Sequence, residues 1–65
     1  MKAFTMTENK YRWHNDEYNG ACIACGKIQH GGCEPDAREY TCESCDAKAV
    51  YGIEELLIMG LINFK

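Results

Sequence analysis

The sequence contains no long apolar segment. No stretch approaches the ~20 apolar residues that a membrane-spanning helix requires, and residues 1–8, Met-Lys-Ala-Phe-Thr-Met-Thr-Glu, lack the apolar run of a secretory signal peptide. We therefore expect a cytoplasmic protein that does not enter a membrane. That compartment is reducing, so cysteine pairs in it bind metal more often than they form disulfides.

The chain is also too short for a large apolar core. Its 65 residues suffice for one domain, and a domain of this size buries only ~60% of the surface that its unfolded form exposes. Domains this small usually need disulfides or a metal ion for stability. The five cysteines are therefore the first residues to consider.

Four of the cysteines form two pairs, Cys22-x2-Cys25 and Cys42-x2-Cys45, with sixteen residues between the pairs. One C-x2-C turn can place two sulfurs about 2.3 Å from an ion, and two turns complete a tetrahedron. This spacing is typical of zinc sites. It predicts one structural Zn2+ bound by all four cysteines, without which the chain would be largely unfolded.

Cys33 is the unpaired cysteine, and an odd count is unfavourable for a disulfide framework. With His30 it completes a competing pattern, C-x2-C-x4-H-x2-C, that begins at Cys22 and leaves Cys42 and Cys45 without thiolate partners. We favour the two C-x2-C pairs as the ligands. Cys33 is then expected to be a free, oxidation-prone thiol in a loop.

Positive charge is scarce in this chain. Seven Lys and Arg residues stand against ten Asp and Glu residues, giving a formal net charge of −3, which four thiolates (−4) and one Zn2+ (+2) would change to −5. Acidic domains are repelled by phosphate backbones. We therefore expect a protein partner. Nucleic-acid binding is the alternative, and it would require five cations to gather on one face: Lys10, Arg12, Lys27, Arg38 and Lys48.

Residues 1–19 are predicted to form an N-terminal arm. Residues 2–7 alternate weakly, and residues 11–14 include strand-forming aromatic side chains, so we interpret the arm as a loose hairpin. Tyr11, Trp13 and Tyr18 could stack on nucleic-acid bases, although covering a small metal core is the simpler role. His14 is interpreted as exposed or hydrogen-bonded, because four cysteines already complete the site.

Residues 20–51 are predicted to form a short antiparallel sheet around the metal. Strands are expected at 27–30 and 38–41, on either side of a loop with two glycines and a proline, and at 48–51. Gly26 and Asp46 follow the two C-x2-C pairs, where a tight metal-binding turn favours positive φ.

Residues 52–62 are predicted to form a C-terminal helix. Apolar residues and a glycine recur at i, i+3, i+4, i+7 and i+8 from Ile53, and two glutamates in the first turn suit the helix dipole. Ile58, Met59 and Ile62 lie largely off this face. They are either buried by the arm and the hairpin or exposed as a patch that binds a partner or a second copy.

Residues 21–51 resemble a zinc ribbon. From Cys42-Glu43-Ser44-Cys45 through Val50-Tyr51-Gly52-Ile53-Glu54-Glu55-Leu56-Leu57, the chain is also similar to small bacteriophage-encoded zinc-ribbon proteins, which carry a comparable Tyr-Gly-x-Glu-Glu-Leu-Leu run. The resemblance implies a ribbon fold, a zinc-ligand role for the four paired cysteines and a bacterial host cytoplasm, but no activity. Ile23 and Glu43 stand where the usual knuckle has proline, and Asp46 stands where it has glycine.

Together these features predict a small metal-bound α+β domain that acts as a non-enzymatic interaction module. A catalytic zinc keeps one coordination position open, whereas four thiolates close the shell. The helix and the aromatic arm are predicted to contact a protein, with a homodimer through the helix as one form of that contact. The predicted contact residues are Tyr11, Trp13, Ile58, Met59 and Ile62.

Overall fold

The computed structural model describes residues 1–65. It contains six strands and two helices: β1 (Phe4–Met6), α1 (Glu8–Asp16), β2 (Gly20–Cys22), β3 (Ile28–Gln29), β4 (Tyr40–Thr41), β5 (Lys48–Gly52), α2 (Ile53–Ile58) and β6 (Ile62–Phe64). Strands β2 to β5 form an antiparallel sheet in the order β3-β2-β5-β4, while β1 and β6 pair in parallel. The predicted α+β fold with a short antiparallel sheet is confirmed. The parallel pair was not predicted.

The two central strands leave room for the loop between β3 and β4. Gly20 in β2 lies opposite Gly52 in β5. A side chain on Gly20 would collide with the sulfur of Cys33, and one on Gly52 would collide with the carbonyl oxygens of Glu34 and Pro35. The paired glycines therefore allow the loop backbone to lie directly on the sheet.

The N-terminal arm is a strand followed by a helix, so the predicted hairpin over residues 1–19 is wrong. The Thr7 hydroxyl accepts a hydrogen bond from the Lys10 N–H at 3.2 Å and caps α1. Glu8 lies in the first turn, where negative charge suits the helix dipole, and pairs with Arg12 one turn later at 2.7 Å. These local contacts stabilise a helix over residues that include strand-forming aromatic side chains.

The C-terminal helix is shorter than the predicted 52–62, because α2 ends at Ile58. Gly60 adopts a φ of +77°. Its N–H donates to the Leu57 carbonyl and the Leu61 N–H donates to the Leu56 carbonyl, both at 3.0 Å. This pair of bonds is a Schellman motif, which ends a helix and turns the chain away. Neither helix has the length and apolar content needed to cross a bilayer.

The apolar core lies in two clusters on either side of the antiparallel sheet's central strands. The first joins β1, β6 and α2 to the sheet and contains Met6, Ala21, Ile53, Leu56 and Ile62. The second surrounds the cysteines and contains Cys22, Cys33, Ala37, Cys42 and Val50. Ile62 is only 7% exposed, so the prediction that it belongs to an exposed patch is wrong. It lies in β6, where it pairs with Phe4.

His14 connects α1 to the loop after β3. It is buried, and its Nδ1 accepts a hydrogen bond from the Asn19 side-chain amide at 3.0 Å, while Asn19 Oδ1 accepts the Gly31 N–H at 2.7 Å. Because Oδ1 already has a donor, Asn19 presents its NH2 group to a deprotonated Nδ1. Burial, with the nearby charges of Lys10 and His30, lowers the pKa of His14. The folded protein therefore holds a neutral imidazole here.

Gly60→Ala should destabilise the protein by about 1–2 kcal/mol, because an L-residue in the left-handed conformation carries that cost. A methyl group at this position meets no atom within 4 Å, so steric collision adds nothing. Gly60→Asn should cost less, since asparagine tolerates this conformation. Urea unfolding at a fixed metal concentration measures both changes. An alanine variant as stable as the wild type would contradict the assignment of the helix end.

Acidification should destabilise the protein through His14. Its folded pKa lies below its ordinary value of 6.5, so between these two values the unfolded chain binds a proton that the folded chain does not. Stability therefore falls as pH decreases through about 6.5, until the folded pKa is reached. His14→Gln removes this contribution. The difference in free energy of unfolding between wild type and variant should thus shrink from pH 7.5 to 5.5, and a constant difference would exclude the effect. Both proteins contain the four paired cysteines, so the acid sensitivity of those thiols largely cancels in the difference between the two free energies of unfolding.

Candidate metal centre

The four paired cysteines come together at one end of the antiparallel sheet. All four Sγ atoms lie within 4.8 Å of one another, with Cys22 to Cys45 at 3.6 Å and Cys25 to Cys42 at 3.7 Å. An ion bound tetrahedrally at a Zn–S distance of about 2.3 Å requires S···S separations of about 3.8 Å. The sulfurs are therefore positioned to bind one metal ion, as the spacing of the cysteines predicted.

Two equivalent turns present these sulfurs. The Gly26 N–H donates to the Cys22 carbonyl and the Asp46 N–H donates to the Cys42 carbonyl, both at 2.9 Å. In each turn the N–H of the first cysteine also donates to the carbonyl five residues later, at 2.9 and 2.8 Å. Gly26 and Asp46 have φ values of +85° and +63°. The predicted positive φ at both positions is thus confirmed, including at the aspartate.

The pairing of β2 with β5 brings the two turns together. β2 leads into the first turn and β5 leaves the second, and Cys22 lies opposite Val50 in their antiparallel register. Just beyond this pair, the Ile23 N–H donates to the Ala49 carbonyl at 2.9 Å. The pairing of these two strands therefore sets the separation of the two turns and of the sulfurs that they carry.

Each turn has one buried and one exposed cysteine. Cys22 and Cys42 are 0% and 2% exposed, whereas Cys25 and Cys45 lie at the surface. The buried sulfurs have backbone donors: Cys25 N–H lies 3.4 Å from Cys22 Sγ, and Ser44 N–H lies 3.3 Å from Cys42 Sγ. Such donors favour the charged thiolate where water cannot solvate it.

The crowding of the sulfurs separates their pKa values. Burial acts to raise the pKa of Cys22, but the N–H groups of Cys25 and Ala24 and the adjacent thiols lower it to about 7. For Cys45 the Ala47 N–H acts to lower the pKa, whereas burial and the other three thiols raise it to about 12. Four thiolates in this space repel one another. A divalent cation among them would remove that repulsion and deprotonate all four.

The competing ligand set is not assembled. Cys33 is fully buried beside Gly20, and His30 lies at the surface near Trp13. Burial, together with the charge of Glu34, raises the pKa of the Cys33 thiol. The expectation that Cys33 is an oxidation-prone loop thiol is therefore corrected, because a buried thiol with a raised pKa reacts slowly.

The N-terminal arm contributes a contact to the first turn that the sequence did not reveal. The Lys2 N–H donates to the Ile23 carbonyl at 2.9 Å, and the aliphatic part of the Lys2 side chain would lie 3.1 Å from a methyl group placed on Gly26. The start of the chain therefore packs against the first C-x2-C turn. No local pattern signals this contact, since Lys2 is twenty residues from Cys22.

The predicted partner-binding residues of the C-terminal segment occupy different environments. Ile58 is 78% exposed and Leu57, which was assigned to the buried face, is 38% exposed. Met59 is half-buried and Ile62 belongs to the core. The exposed apolar surface of α2 is therefore narrower than predicted and consists mainly of Leu57 and Ile58.

The two predicted contact residues of the arm point to different sides of α1, because side chains two positions apart in a helix do not face each other. The half-buried Tyr11 packs edge-on against Phe64, with ring centroids 5.5 Å apart. Trp13 is 45% exposed, and the Lys10 ammonium lies 4.6 Å from its ring centroid. The arm therefore does not present a continuous aromatic platform.

Removal of the metal should unfold the chain, because thiolate coordination supplies much of the folding free energy of such small domains. Native mass spectrometry with metal analysis should find one Zn2+ per chain. Cys42→Ser should lose both the ion and the circular dichroism of the fold.

Cys33→Ala is the matched control, because it removes an equally buried cysteine whose sulfur is not one of the four that come together. It should lower stability but retain one Zn2+ per chain. Loss of metal from this variant while it remains folded, or retention of metal by Cys42→Ser, would contradict the assignment of the ligands.

Comparison of the chain with family models, with curated proteins and with solved structures finds no match. The metal centre therefore rests on the spacing of the cysteines and the geometry of their sulfurs.

Proposed function

We propose that this chain is a zinc ribbon whose single structural Zn2+ holds a surface for binding another protein. Two equivalent C-x2-C turns at the end of an antiparallel sheet support the ribbon assignment. The similarity of residues 42–57 to phage-encoded zinc-ribbon proteins supports the same fold, and on that basis the cytoplasm of a bacterial host is the proposed location.

Zinc is the proposed ion because four thiolates in a tetrahedral arrangement select zinc or iron, and a closed shell of four cysteine ligands is characteristic of structural zinc. A shell of four protein ligands has no position for a reacting water or substrate. The proposed role of the ion is therefore stability, and the proposed function is non-enzymatic.

The exposure of Ile58 carries the protein-binding proposal. In the same helix, Ile53 and Leu56 are at most 2% exposed, whereas Ile58 is 78% exposed and lies next to the partly exposed Leu57. Water contact with adjacent large apolar side chains is unfavourable, and such surfaces commonly mark binding sites.

Nucleic-acid binding receives less support from the cations that it would require. Arg12 is paired with Glu8 at 2.7 Å, and Arg38 is paired with Glu55 at 2.9 Å. These ion pairs offset two of the five candidate charges. The overall charge of −3 further opposes an approach to phosphates.

Ile58→Asp should abolish partner binding and leave the zinc content unchanged. The measurement is capture of proteins from a bacterial lysate by the zinc-loaded chain, with Tyr18→Asn as the control. Tyr18 is 54% exposed in a different part of the chain, and its φ of +56° suits asparagine. Capture that survives Ile58→Asp, or DNA or RNA binding that weakens with increasing salt, would overturn the proposal.

A further inference from the structure

The exposed apolar residues of α2 form a short ridge, which we define as Leu57 and Ile58. Successive residues of a helix are 100° apart around its axis. Ile58 therefore lies one turn after Glu54 and Glu55, at an angle between theirs. Leu57 lies on the other side of Glu54. The Glu55 carboxylate is bound to Arg38, whereas Glu54 is exposed and has no ion pair. The ridge therefore rises directly beside a free carboxylate.

The loop between β3 and β4 adds further negative charge at the base of the ridge. Its Pro35 carbonyl accepts the Glu55 N–H at 3.0 Å, and Arg38 reaches Glu55 Oε1 at 2.9 Å. These bonds fix the loop on the first turn of α2. The acidic side chains of this loop are all exposed: Glu34, Asp36 and Glu39.

Half of the chain's ten carboxylates lie in this rim, which we define as the carboxylates of residues 34, 36, 39, 54 and 55 with Arg38. Five carboxylates and one guanidinium give a net charge of −4. The whole chain carries −3 with neutral cysteines, so the remaining residues together carry +1, which four thiolates (−4) and one Zn2+ (+2) would change to −1. An apolar ridge beside such a rim is complementary to an apolar surface bordered by cations.

We infer that the partner presents a cationic amphipathic helix, whose apolar residues cover the ridge and whose Lys and Arg side chains face the rim. A second copy of this chain would bring one rim of −4 against another, and nucleic-acid phosphates would be repelled in the same way. This inference rests on the proposed protein-binding function and adds the chemical class of the partner.

Three synthetic helical peptides of about five turns test the inference by NMR titration of the 15N-labelled, zinc-loaded chain. They share one apolar face and carry Lys, Gln or Glu on the polar face. The Lys peptide should bind about tenfold more tightly than the Gln peptide and weaken as salt rises, because exposed charges are screened. The Glu peptide should not bind. Amide shifts should map to residues 34–39 and 54–58.

Matched variants separate the apolar contribution from the electrostatic one. Ile58→Gln should weaken binding of both the Lys and the Gln peptide. Glu54→Gln should weaken only the Lys peptide, while Glu17→Gln, an exposed carboxylate at the end of α1, should change neither affinity.

The possible failures are distinguishable. Equal binding of the Lys and Gln peptides at the ridge would overturn the cationic partner but leave the protein-binding surface intact. Shifts confined to other residues, or no binding of the Lys peptide, would overturn this inference, and unchanged lysate capture by Ile58→Asp would also overturn the proposed function. Dimerisation that is abolished by Ile58→Gln would make a second copy the occupant and overturn the inference.

Discussion

The approach of two C-x2-C turns, with all four sulfurs within 4.8 Å, is the contact on which the remaining structure depends. One of the two buried clusters consists of three cysteines, Ala37 and Val50, and such small side chains contribute little hydrophobic stabilisation. Without a cation, thiolates at these positions repel one another. The separation of the pKa values of Cys22 and Cys45, at about 7 and about 12, reflects this crowding. The same crowding becomes favourable once a divalent ion neutralises it.

The sequence was most informative where the structural cause is local. The metal ligands follow from two short motifs, and Gly26 and Asp46 are predictable because each closes a turn within five residues. Helix α1 is also local, but its sequence provides conflicting signals. The Thr7 cap and the Glu8–Arg12 pair favour a helix, whereas Tyr11 and Trp13 are good strand formers and no apolar face repeats along the segment.

Contacts between distant parts of the chain were not predictable. The parallel pairing of Phe4 with Ile62 joins the two ends of the chain, and no pattern within either strand specifies its partner. The predicted C-terminal helix extended beyond the end of α2 for a related reason. Gly60 fits the i+7 position of a helical pattern, but a glycine there can also adopt positive φ, and the latter conformation leads directly into β6. Burial of Ile62 beside β1 favours that second outcome.

The metal centre and the proposed binding surface are connected through the loop between β3 and β4. This loop continues through β4 into Cys42, and its backbone lies on Gly52 and bonds to Glu55. The acidic rim is therefore assembled from two distant segments, one leading into a metal ligand and the other at the start of α2. Loss of the ion would release the first segment from the second, even if α2 itself remained helical. An ion bound by the four cysteines would thus serve the proposed binding function by holding the rim beside the ridge, although its ligands belong to neither.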